Sequence, residues 1–499
     1  MNQLLEKFQA HLNICRQYEQ VLSLLYWDLQ TICPKNGVDG KVNAISYFSG
    51  EIFRLSTSKE YGEMLEALSR PEVFDTLDEA MQVTVKRYTK NYRRFCRIPE
   101  DFYTEFAAVR ARSEKAWEEA KTKKDFAVFA PHLEKVIEMT IQSLQYEEPD
   151  KDPYEVLLED HEAGMDSASI DKLFEELKEG LVPLLGQITA APRPDTSALA
   201  GRYDIQAQKQ VERLLLEYIG FDFESGTTGE TEHPFTTGIG PNDIRVTNHF
   251  SEEDPINAMF SAIHEGGHGI FEQNVAPELL NTAAGEINLM GLHESQSRFF
   301  ENILGRRKSF WVPIYDKIGA YLPQFKEIDL DTFYAAINDV HASMIRTDAD
   351  EVTYCLHIIL RYEMERAIFY DKVPVDKLPT LWNDKMEALL GIRPSNDAEG
   401  ILQDTHWAGG MFGYFPSYLL GSIYDGMLLQ QLQKDLGDID ALLARGEILQ
   451  ITRWLNKNIH RNGSLYTSRE VLGRLCGCEI SAKPLLDYFT KKYTEIYHL

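Results

Sequence analysis

Cysteine is scarce in this 499-residue chain, and long apolar runs are absent from it. Six cysteines are too few and too scattered for a disulfide framework in a chain of this length, so we expect free thiols in a reducing compartment. No uninterrupted apolar run approaches the roughly 18 residues that cross a bilayer. The first residues also lack the basic, apolar and small-residue order of a secretion signal. These absences predict a cytoplasmic protein.

Positively charged residues are also fewer than negatively charged ones. The chain has 51 Lys and Arg against 78 Asp and Glu, which gives a formal net charge of −27. Such a surface repels phosphate backbones and anionic lipids, so we expect neither nucleic acid nor a membrane as partner. The 43% of hydrophobic residues and 26% of charged residues are typical of a globular protein with a sizeable core.

The hydrophobic pattern predicts a mainly α protein with one small β region. Residues 1–220 place leucines at three- and four-residue intervals among charges, as in helices. Residues 221–250 are rich in Thr and Gly with short alternating runs, which predicts two or three short strands. Helical patterns return over 251–499. We expect one domain, 1–499, with 189–204 as a linker candidate or a long loop.

One short stretch, SAIHEGGHGIFEQ (261–273), places His264 and His268 four residues apart with Glu265 between them. On a helix, histidines at this spacing lie one turn apart and reach one ion. Glu265, rotated by about 100°, lies beside that ion and suits a general base acting on zinc-bound water. Asp254 as N-cap and Pro255 in the first turn predict where the helix begins. The alternative is two core histidines on a buried helix.

Three glycines in this stretch argue against a helix, because each weakens one by about 1 kcal/mol relative to alanine. The apolar stripe that supports the helix does not depend on them: Ile256, Phe260, Ile263, Gly267, Phe271. Gly267 lies on this stripe, and we expect it and Gly269 to allow close approach of another element. Gly266 has no such explanation in the sequence.

A catalytic zinc site takes three protein ligands, so a third must come from elsewhere. Residues 285–305 are predicted to form another helix, which carries four candidates: Glu286, His293, Glu294, Glu301. Glu294 is preferred because the small polar residues that follow it would supply supporting hydrogen bonds. Glu286 is the second choice, since an acidic residue near a helix start usually serves the helix dipole.

Glu265 and His268 also form the Glu-x-x-His element of di-iron helical bundles. Such a site needs a second pair and two further glutamates on facing helices, and Glu495 with His498 lies at the chain end, where fraying makes poor ligands. We therefore favour zinc.

Together these motifs resemble those of the Taq-type zinc metallocarboxypeptidases. HEGGH and HESQ are accompanied, in the family's order, by HPF (233–235), DIRVT (243–247), IRTDADE (345–351), GILQDTHW (400–407) and FGYFPSY (412–418). The resemblance implies that His264, His268 and Glu294 bind zinc and that Glu265 is the general base. It implies a helical zincin-like fold with a deep substrate groove and a small sheet beside the active site. It further implies a homodimer, replacement of zinc by cobalt, and release of single C-terminal residues from peptides with broad specificity.

A carboxypeptidase must hold the free α-carboxylate of its substrate, and a bidentate arginine is the natural group for this. Arg346 is our first candidate, although without the family motif around it an arginine paired with neighbouring acids would be the simpler interpretation. Arg245 is the second candidate, with a structural ion pair to Asp243 as its alternative.

The oxyanion of the reaction also needs hydrogen-bond donors. His406 and Tyr418 are the first candidates, followed by Tyr414 and His233, all at loop-like positions where packing is the competing role. Three further side chains are expected to hold the loop together (Gln403, Asp404, Trp407), and two histidines are expected in the core (His341, His357).

Two rival functions use the same residues. A helical zinc endopeptidase or aminopeptidase would share the zinc helix, but an aminopeptidase needs carboxylates for the substrate's amino group, whereas these motifs supply arginines. A binding protein stabilised by zinc would need a closed site with four ligands.

Overall fold

The computed structural model describes residues 2–499 and consists mainly of α-helices. Ten helices precede the sheet: α1 (Asn2–Thr31), α2 (Val38–Ser56), α3 (Lys59–Leu68), α4 (Pro71–Phe74), α5 (Glu79–Phe95), α6 (Glu100–Lys123), α7 (Ala130–Glu147), α8 (Pro153–His161), α9 (Ser167–Ala190) and α10 (Ile205–Ile219). Twelve follow it: α11 (Pro255–Gln273), α12 (Met290–Arg298), α13 (Lys308–Trp311), α14 (Tyr315–Tyr321), α15 (Leu330–Ala336), α16 (Glu351–Phe369), α17 (Leu378–Leu390), α18 (Phe415–Leu436), α19 (Ile439–Ala444), α20 (Ile448–Asn458), α21 (Ser468–Cys476) and α22 (Lys483–Tyr497). The mainly α fold class is confirmed. No helix among these described residues is long and apolar enough to cross a membrane.

Along the chain, a three-stranded sheet follows α10 and precedes α11, as predicted for residues 221–250. Its strands are β1 (Gly226–Glu230), β2 (Thr236–Gly240) and β3 (Asp243–Asn248). The order is β1-β3-β2, with β1 parallel and β2 antiparallel to the central β3. β2 is thus an edge strand, and its register with β3 is irregular between Gly238 and Gly240.

The main hydrophobic core contains side chains from Phe102 to Tyr497, so both sets of helices contribute to it. Its centre is formed by α16 and α18, which are buried along nearly their whole length. The three-part division of a single domain stays a prediction.

The linker candidate at 189–204 is a packed loop between α9 and α10. Tyr203 is buried, its N–H donates to the carbonyl of Glu252 over 2.8 Å, and its hydroxyl donates to the carbonyl of Leu199 over 2.9 Å. These contacts attach the loop to the folded body.

The helix predicted over 285–305 is shorter than expected. Residues 286–289 are not helical, and Glu286 is extended, with its carboxylate accepting a hydrogen bond from the Tyr88 hydroxyl. The helix begins at Met290 because the buried carboxylate of Glu162 accepts from the backbone N–H of Gly291 over 2.8 Å. After Arg298 the helix widens into a π-helical segment, Phe299–Leu304.

Candidate metal centre and substrate groove

Helix α11 carries both histidines of the motif. Asp254 caps it by accepting from the N–H of Asn257 over 3.0 Å, and Pro255 occupies the first turn, as the sequence predicts. Nitrogen atoms of His264 and His268 and a carboxylate oxygen of Glu294, on α12, lie within 4.8 Å of one another. The Glu294 Oε2 atom is 3.6 Å from His268 Nε2 and 4.0 Å from His264 Nε2.

Glycines let α12 approach closely enough to supply Glu294. A β-carbon at Gly267 would lie 2.7 Å from both the Gln296 carbonyl oxygen and the Ser297 Cα. On the opposite side of α12, a β-carbon at Gly421 of α18 would lie 2.9 Å from the Gly291 carbonyl oxygen. The close approach expected at Gly267 is thus present, and α12 is held between two glycine-bearing helices.

The other two glycines of the motif face side chains. Gly269 lies against Phe221 and Val246, with distances of 2.6 and 3.2 Å to a β-carbon built there. Gly266, which the sequence leaves unexplained, faces the ends of Leu216 and Ile219 on α10, at 2.6 and 2.7 Å.

Glu301 orients the first histidine, a role that the sequence analysis did not assign. Its Oε2 atom lies 2.7 Å from His264 Nδ1, which leaves Nε2 facing the predicted ion. Carboxylates commonly fix metal-binding histidines in this way. The available signal was the spacing of Glu301, seven residues or about two turns after Glu294. Burial lowers the pKa of His264, but Glu301, together with the charges of Glu294 and Glu265, outweighs it and raises the pKa to about 9.

Glu294 is held as a carboxylate. Its Oε1 atom accepts from Arg298 Nε over 2.6 Å, and the Arg298 guanidinium lies 3.9 Å from the centre of the Tyr354 ring. Burial raises the pKa of Glu294, but Arg298 and the two ligand histidines lower it well below its usual range. Burial, together with His293, lowers the pKa of His268 to about 3, so His268 is neutral at pH 7. Two imidazole nitrogens and one carboxylate oxygen are the donor set of many catalytic zinc sites, so these residues fit the ion.

Glu265 lies beside the three ligand residues and is buried. Its Oε2 atom accepts from the Thr236 hydroxyl over 2.6 Å, and the same hydroxyl donates to the Glu265 carbonyl over 3.0 Å. Burial raises the pKa of Glu265, against the opposing effects of His264 and Thr236. A carboxylate with a raised pKa, held in one orientation, suits the transfer of protons near neutral pH.

The three predicted ligand residues and Glu265 line a groove of about 890 Å³, which we call the catalytic groove. Its walls come from β2, α11, α12 with the turn that follows, the segment 346–349 and the start of α18. Three of the predicted substrate-binding side chains line it: Arg346, Tyr414, Tyr418.

Arg346 is buried and lies in a short turn before α16. Nε and Nη2 donate to one oxygen of Asp404 over 3.0 and 2.8 Å, and Nη1 donates to the Tyr354 hydroxyl over 3.2 Å. It does not pair with the acids next to it in the sequence. Burial lowers the pKa of Arg346, but Tyr354 and Asp404 outweigh it, so the guanidinium stays charged.

The three aromatic candidates cluster at one wall. The rings of Tyr414 and Tyr418 are 5.1 Å apart and nearly perpendicular, and His406 packs behind them, 5.8 Å from Tyr414 and 6.3 Å from Tyr418. His406 Nδ1 is buried and has no hydrogen-bond partner among residues 2–499. Burial lowers the pKa of His406 to about 4, so its ring is neutral at pH 7.

The remaining two candidates lie away from this wall. Arg245, on β3, donates through Nε and Nη2 to both oxygens of Asp243, each over 2.9 Å, and lies over the ring of Trp27. His233 is exposed, beside Pro234, which does line the catalytic groove. The structure therefore does not bring Arg245 and His233 together with the groove-lining candidates.

Three side chains hold the loop around residue 404 together, as expected: Gln403, Asp404 and Trp407. Asp404 bridges Arg346 and Arg361, and Trp407 Nε1 donates to Glu365 over 2.8 Å. Likewise, Gln403 Oε1 accepts from the Arg346 N–H over 3.1 Å. His357 is fully buried, as predicted.

The expectation that His341 is a core residue is wrong. It is exposed, in a non-helical segment, and its Nδ1 atom lies 3.1 Å from an oxygen of Asp339. The apolar residues around it suggested a helix, but α15 ends at Ala336.

Comparison with known proteins gives matches over nearly the whole chain. Residues 7–493 match the sequence model of carboxypeptidase Taq (M32) metallopeptidases. The chain is 43% identical over 484 residues to carboxypeptidase 1 of Bacillus subtilis, covering 97% of this chain and 96% of that protein. It is 36% identical over 486 residues to thermostable carboxypeptidase 1 of Thermus thermophilus, covering 95% of each. The crystal structure of the M32 carboxypeptidase from Deinococcus radiodurans superposes with a TM-score of 0.95 at 32% identity, over 100% of both chains.

Proposed function

Since this chain belongs to the carboxypeptidase Taq (M32) metallopeptidase family and is a metallocarboxypeptidase, we propose which of its residues carry out the reaction and with which ion. The proposal is that the enzyme removes single residues from peptides that have a free C-terminus. The observation that carries it is the arrangement around one groove of three ligand residues, a buried carboxylate and a buried arginine.

We propose that His264, His268 and Glu294 hold Zn²⁺, with Co²⁺ able to replace it. The ion would polarise the peptide carbonyl and lower the pKa of the attacking water. Glu301 keeps the His264 ring in place through its 2.7 Å contact with Nδ1, and Arg298 keeps Glu294 ionised and in position.

Glu265 acts as the general base and then the general acid. One carboxylate oxygen takes a proton from the attacking water, and the proton is then delivered to the nitrogen of the leaving amino acid. Thr236 supports this role because its hydroxyl fixes the carboxylate from the side of β2. Burial excludes bulk water from the carboxylate and keeps its pKa raised, so it retains the proton until the peptide nitrogen accepts it.

Arg346 is proposed to bind the α-carboxylate of the substrate. Of its five N–H groups, Nε and one each from Nη2 and Nη1 are engaged by Asp404 and Tyr354. One N–H on each terminal nitrogen remains, and these two form a fork that matches a carboxylate. Arg245 is the second candidate, because it does not line the catalytic groove and its side chain is paired with Asp243.

Tyr418 and Tyr414 are proposed as donors to the oxyanion. Burial raises the pKa of each hydroxyl, so both stay protonated and can donate throughout the neutral range. His406 and His233 are weaker candidates for direct contact, since His406 packs behind the tyrosine rings and His233 is exposed outside the groove wall.

The decisive experiment is a timed mass-spectrometric digestion of matched peptides with free and amidated C-termini, and with free and acetylated N-termini. We expect stepwise shortening from free C-termini only, whatever the N-terminus carries. Equal cleavage of amidated peptides would indicate an endopeptidase, and dependence on a free N-terminus would indicate an aminopeptidase.

Two further properties are proposals. We expect a homodimer, which light scattering on the purified protein will show as twice the 57.2 kDa chain mass. We also expect the enzyme in the cytoplasm, because all six cysteines are free thiols. Cell fractionation with an antibody to the chain tests this location.

A further inference from the structure

A second pocket, of about 930 Å³, lies next to the catalytic groove along β2 and α11 and has no role in the reaction described above. We call it the upstream pocket. Two elements wall both cavities: on β2, Thr236 lines the catalytic groove and Gly238 the upstream pocket, and on α11 the same holds for His268 and Glu272. The segment 285–293 also contributes to both. The upstream pocket therefore begins one helical turn, about 5.4 Å, beyond the ligand histidine.

The two cavities lie at opposite ends of the predicted path of a peptide. Helix α12 runs antiparallel to α11, because Glu301 contacts His264, whereas His293 lies 3.3 Å from Glu272. Arg346 lies on the Glu301 side, since it contacts Tyr354, which stacks on Arg298 between Glu294 and Glu301. A chain whose C-terminus is held by Arg346 thus extends towards Glu272. One helical turn corresponds to about two extended residues, so the third or fourth residue before the scissile bond enters the upstream pocket.

One wall of the upstream pocket carries a strip of unpaired positive charge. Arg453, Lys457 and Arg461 follow each other at four-residue intervals, so they share one face of α20 and its continuation. All three are exposed, and none forms an ion pair or a side-chain hydrogen bond within residues 2–499. The backbone carbonyl of Arg461 accepts from the N–H of Ala276, which fixes the end of the strip.

The acidic residues of the pocket are not the partners of this strip. Glu286 accepts from the Tyr88 hydroxyl and lies 4.0 Å from Arg16, and Glu272 lies next to His293. Burial raises the pKa of Glu19, with the charge of Glu286 adding to it. Glu19 lies on α1 and Glu272 on α11, whereas Glu286 precedes α12. A fourth acidic residue, the exposed Glu278, lies in the loop after α11, so the α20 wall itself carries positive charge alone.

We propose that Arg453, Lys457 and Arg461 form a subsite for acidic side chains upstream of the scissile bond. The enzyme then cleaves peptides with Asp or Glu at the fourth and fifth positions from the C-terminus faster than peptides with Lys there. This inference rests on the proposed carboxypeptidase function, because the direction of the peptide follows from it.

The experiment compares initial rates on three N-blocked hexapeptides that differ only at these two positions, which are Glu-Glu, Gln-Gln or Lys-Lys. A blocked dipeptide, too short for the upstream pocket, is the reference, and each kcat/KM is divided by the value for that substrate. We expect the Glu-Glu peptide to exceed the Lys-Lys peptide by about 3- to 10-fold at low salt, as two exposed ion pairs give. The ratio should fall towards 1 in 1 M salt, where charges are screened.

The triple variant Arg453→Gln, Lys457→Gln, Arg461→Gln should bring the ratio to near 1 at low salt. A matched control removes three exposed cations of α6 and α7, through Lys115→Gln, Lys123→Gln and Lys135→Gln, and should keep the ratio.

A wild-type ratio near 1 would overturn the subsite, and so would a ratio that survives in the strip variant. A ratio lost equally in the control variant would assign the effect to net charge instead of the strip. Absence of cleavage of the blocked dipeptide and all hexapeptides by the wild-type enzyme would instead contradict the carboxypeptidase function.

Discussion

Alanine in place of Gly267 should displace the third ligand residue from the metal centre. The added β-carbon would lie 2.7 Å from backbone atoms of Gln296 and Ser297, whereas non-bonded carbon atoms settle at about 3.5 Å. Because the opposing atoms are backbone, α12 itself must move, by about 0.8 Å. On the far side, a β-carbon built at Gly421 of α18 would already lie 2.9 Å from the Gly291 carbonyl oxygen, so α18 packs closely against α12 and leaves it little space to retreat.

The consequence reaches Glu294, two residues before Gln296 on the same helix. Sites of this kind tolerate about 0.5 Å of displacement, so we expect zinc affinity to fall by at least about 10-fold. Overpacking costs about 1–3 kcal/mol, and the better helix propensity of alanine returns about 1 kcal/mol, so the free energy of unfolding should fall by about 0–2 kcal/mol. Chelator competition measures the affinity, and urea unfolding measures the stability.

Two other glycines provide matched controls. Gly266→Ala on the same helix meets only the flexible ends of Leu216 and Ile219, so it should affect zinc affinity much less. Gly186→Ala on α9 has no atom within 4 Å of the new carbon and should stabilise the protein by about 0.5–1 kcal/mol. The reasoning is refuted if Gly267→Ala keeps wild-type zinc affinity, or if Gly266→Ala loses as much.

Four more predictions concern the metal centre and the substrate. Glu265→Gln should retain zinc but lower kcat by at least about 100-fold, as loss of a general base does, and near-normal turnover would remove Glu265 from this role. Glu301→Gln should weaken zinc binding by about 10- to 100-fold in chelator competition, and unchanged affinity would show that His264 needs no support. His264, with a pKa of about 9, is protonated at pH 7 and must lose that proton to bind an ion. Calorimetry in buffers of different ionisation enthalpy should therefore show about one proton released per zinc at pH 7, and affinity rising as pH increases towards 9; no release would contradict the assignment. Arg346→Ala should raise KM for peptides with free C-termini more than Arg245→Ala does, and the reverse order would exchange their roles.

The local sequence predicts the metal helix because the information is contained within one element. Asp254 and Pro255 start it, the apolar stripe directs one face to the core, and the spacing of His264 and His268 follows from the helical period. The position of the small sheet could be predicted for the same reason, because the alternating pattern of a strand is visible within a few residues.

Local sequence patterns do not predict contacts between residues that are far apart in the chain. The start of α12 depends on Glu162, more than 100 residues earlier, so the helix was predicted too long. Gly266 faces α10, and Arg346 pairs with Asp404 instead of the acids beside it in sequence. His341 was misplaced because apolar neighbours suggested a helix that ends before it.

The sequence by itself thus identified the family, and it predicted the donor set and the helix that carries two of its members. Only the tertiary structure decided which carboxylate contacts His264, which arginine lines the groove, and that a strip of cations on α20 lines the neighbouring pocket. The physical reason is that spacing along a helix fixes which side chains share a face, whereas the partner of that face depends on how helices pack.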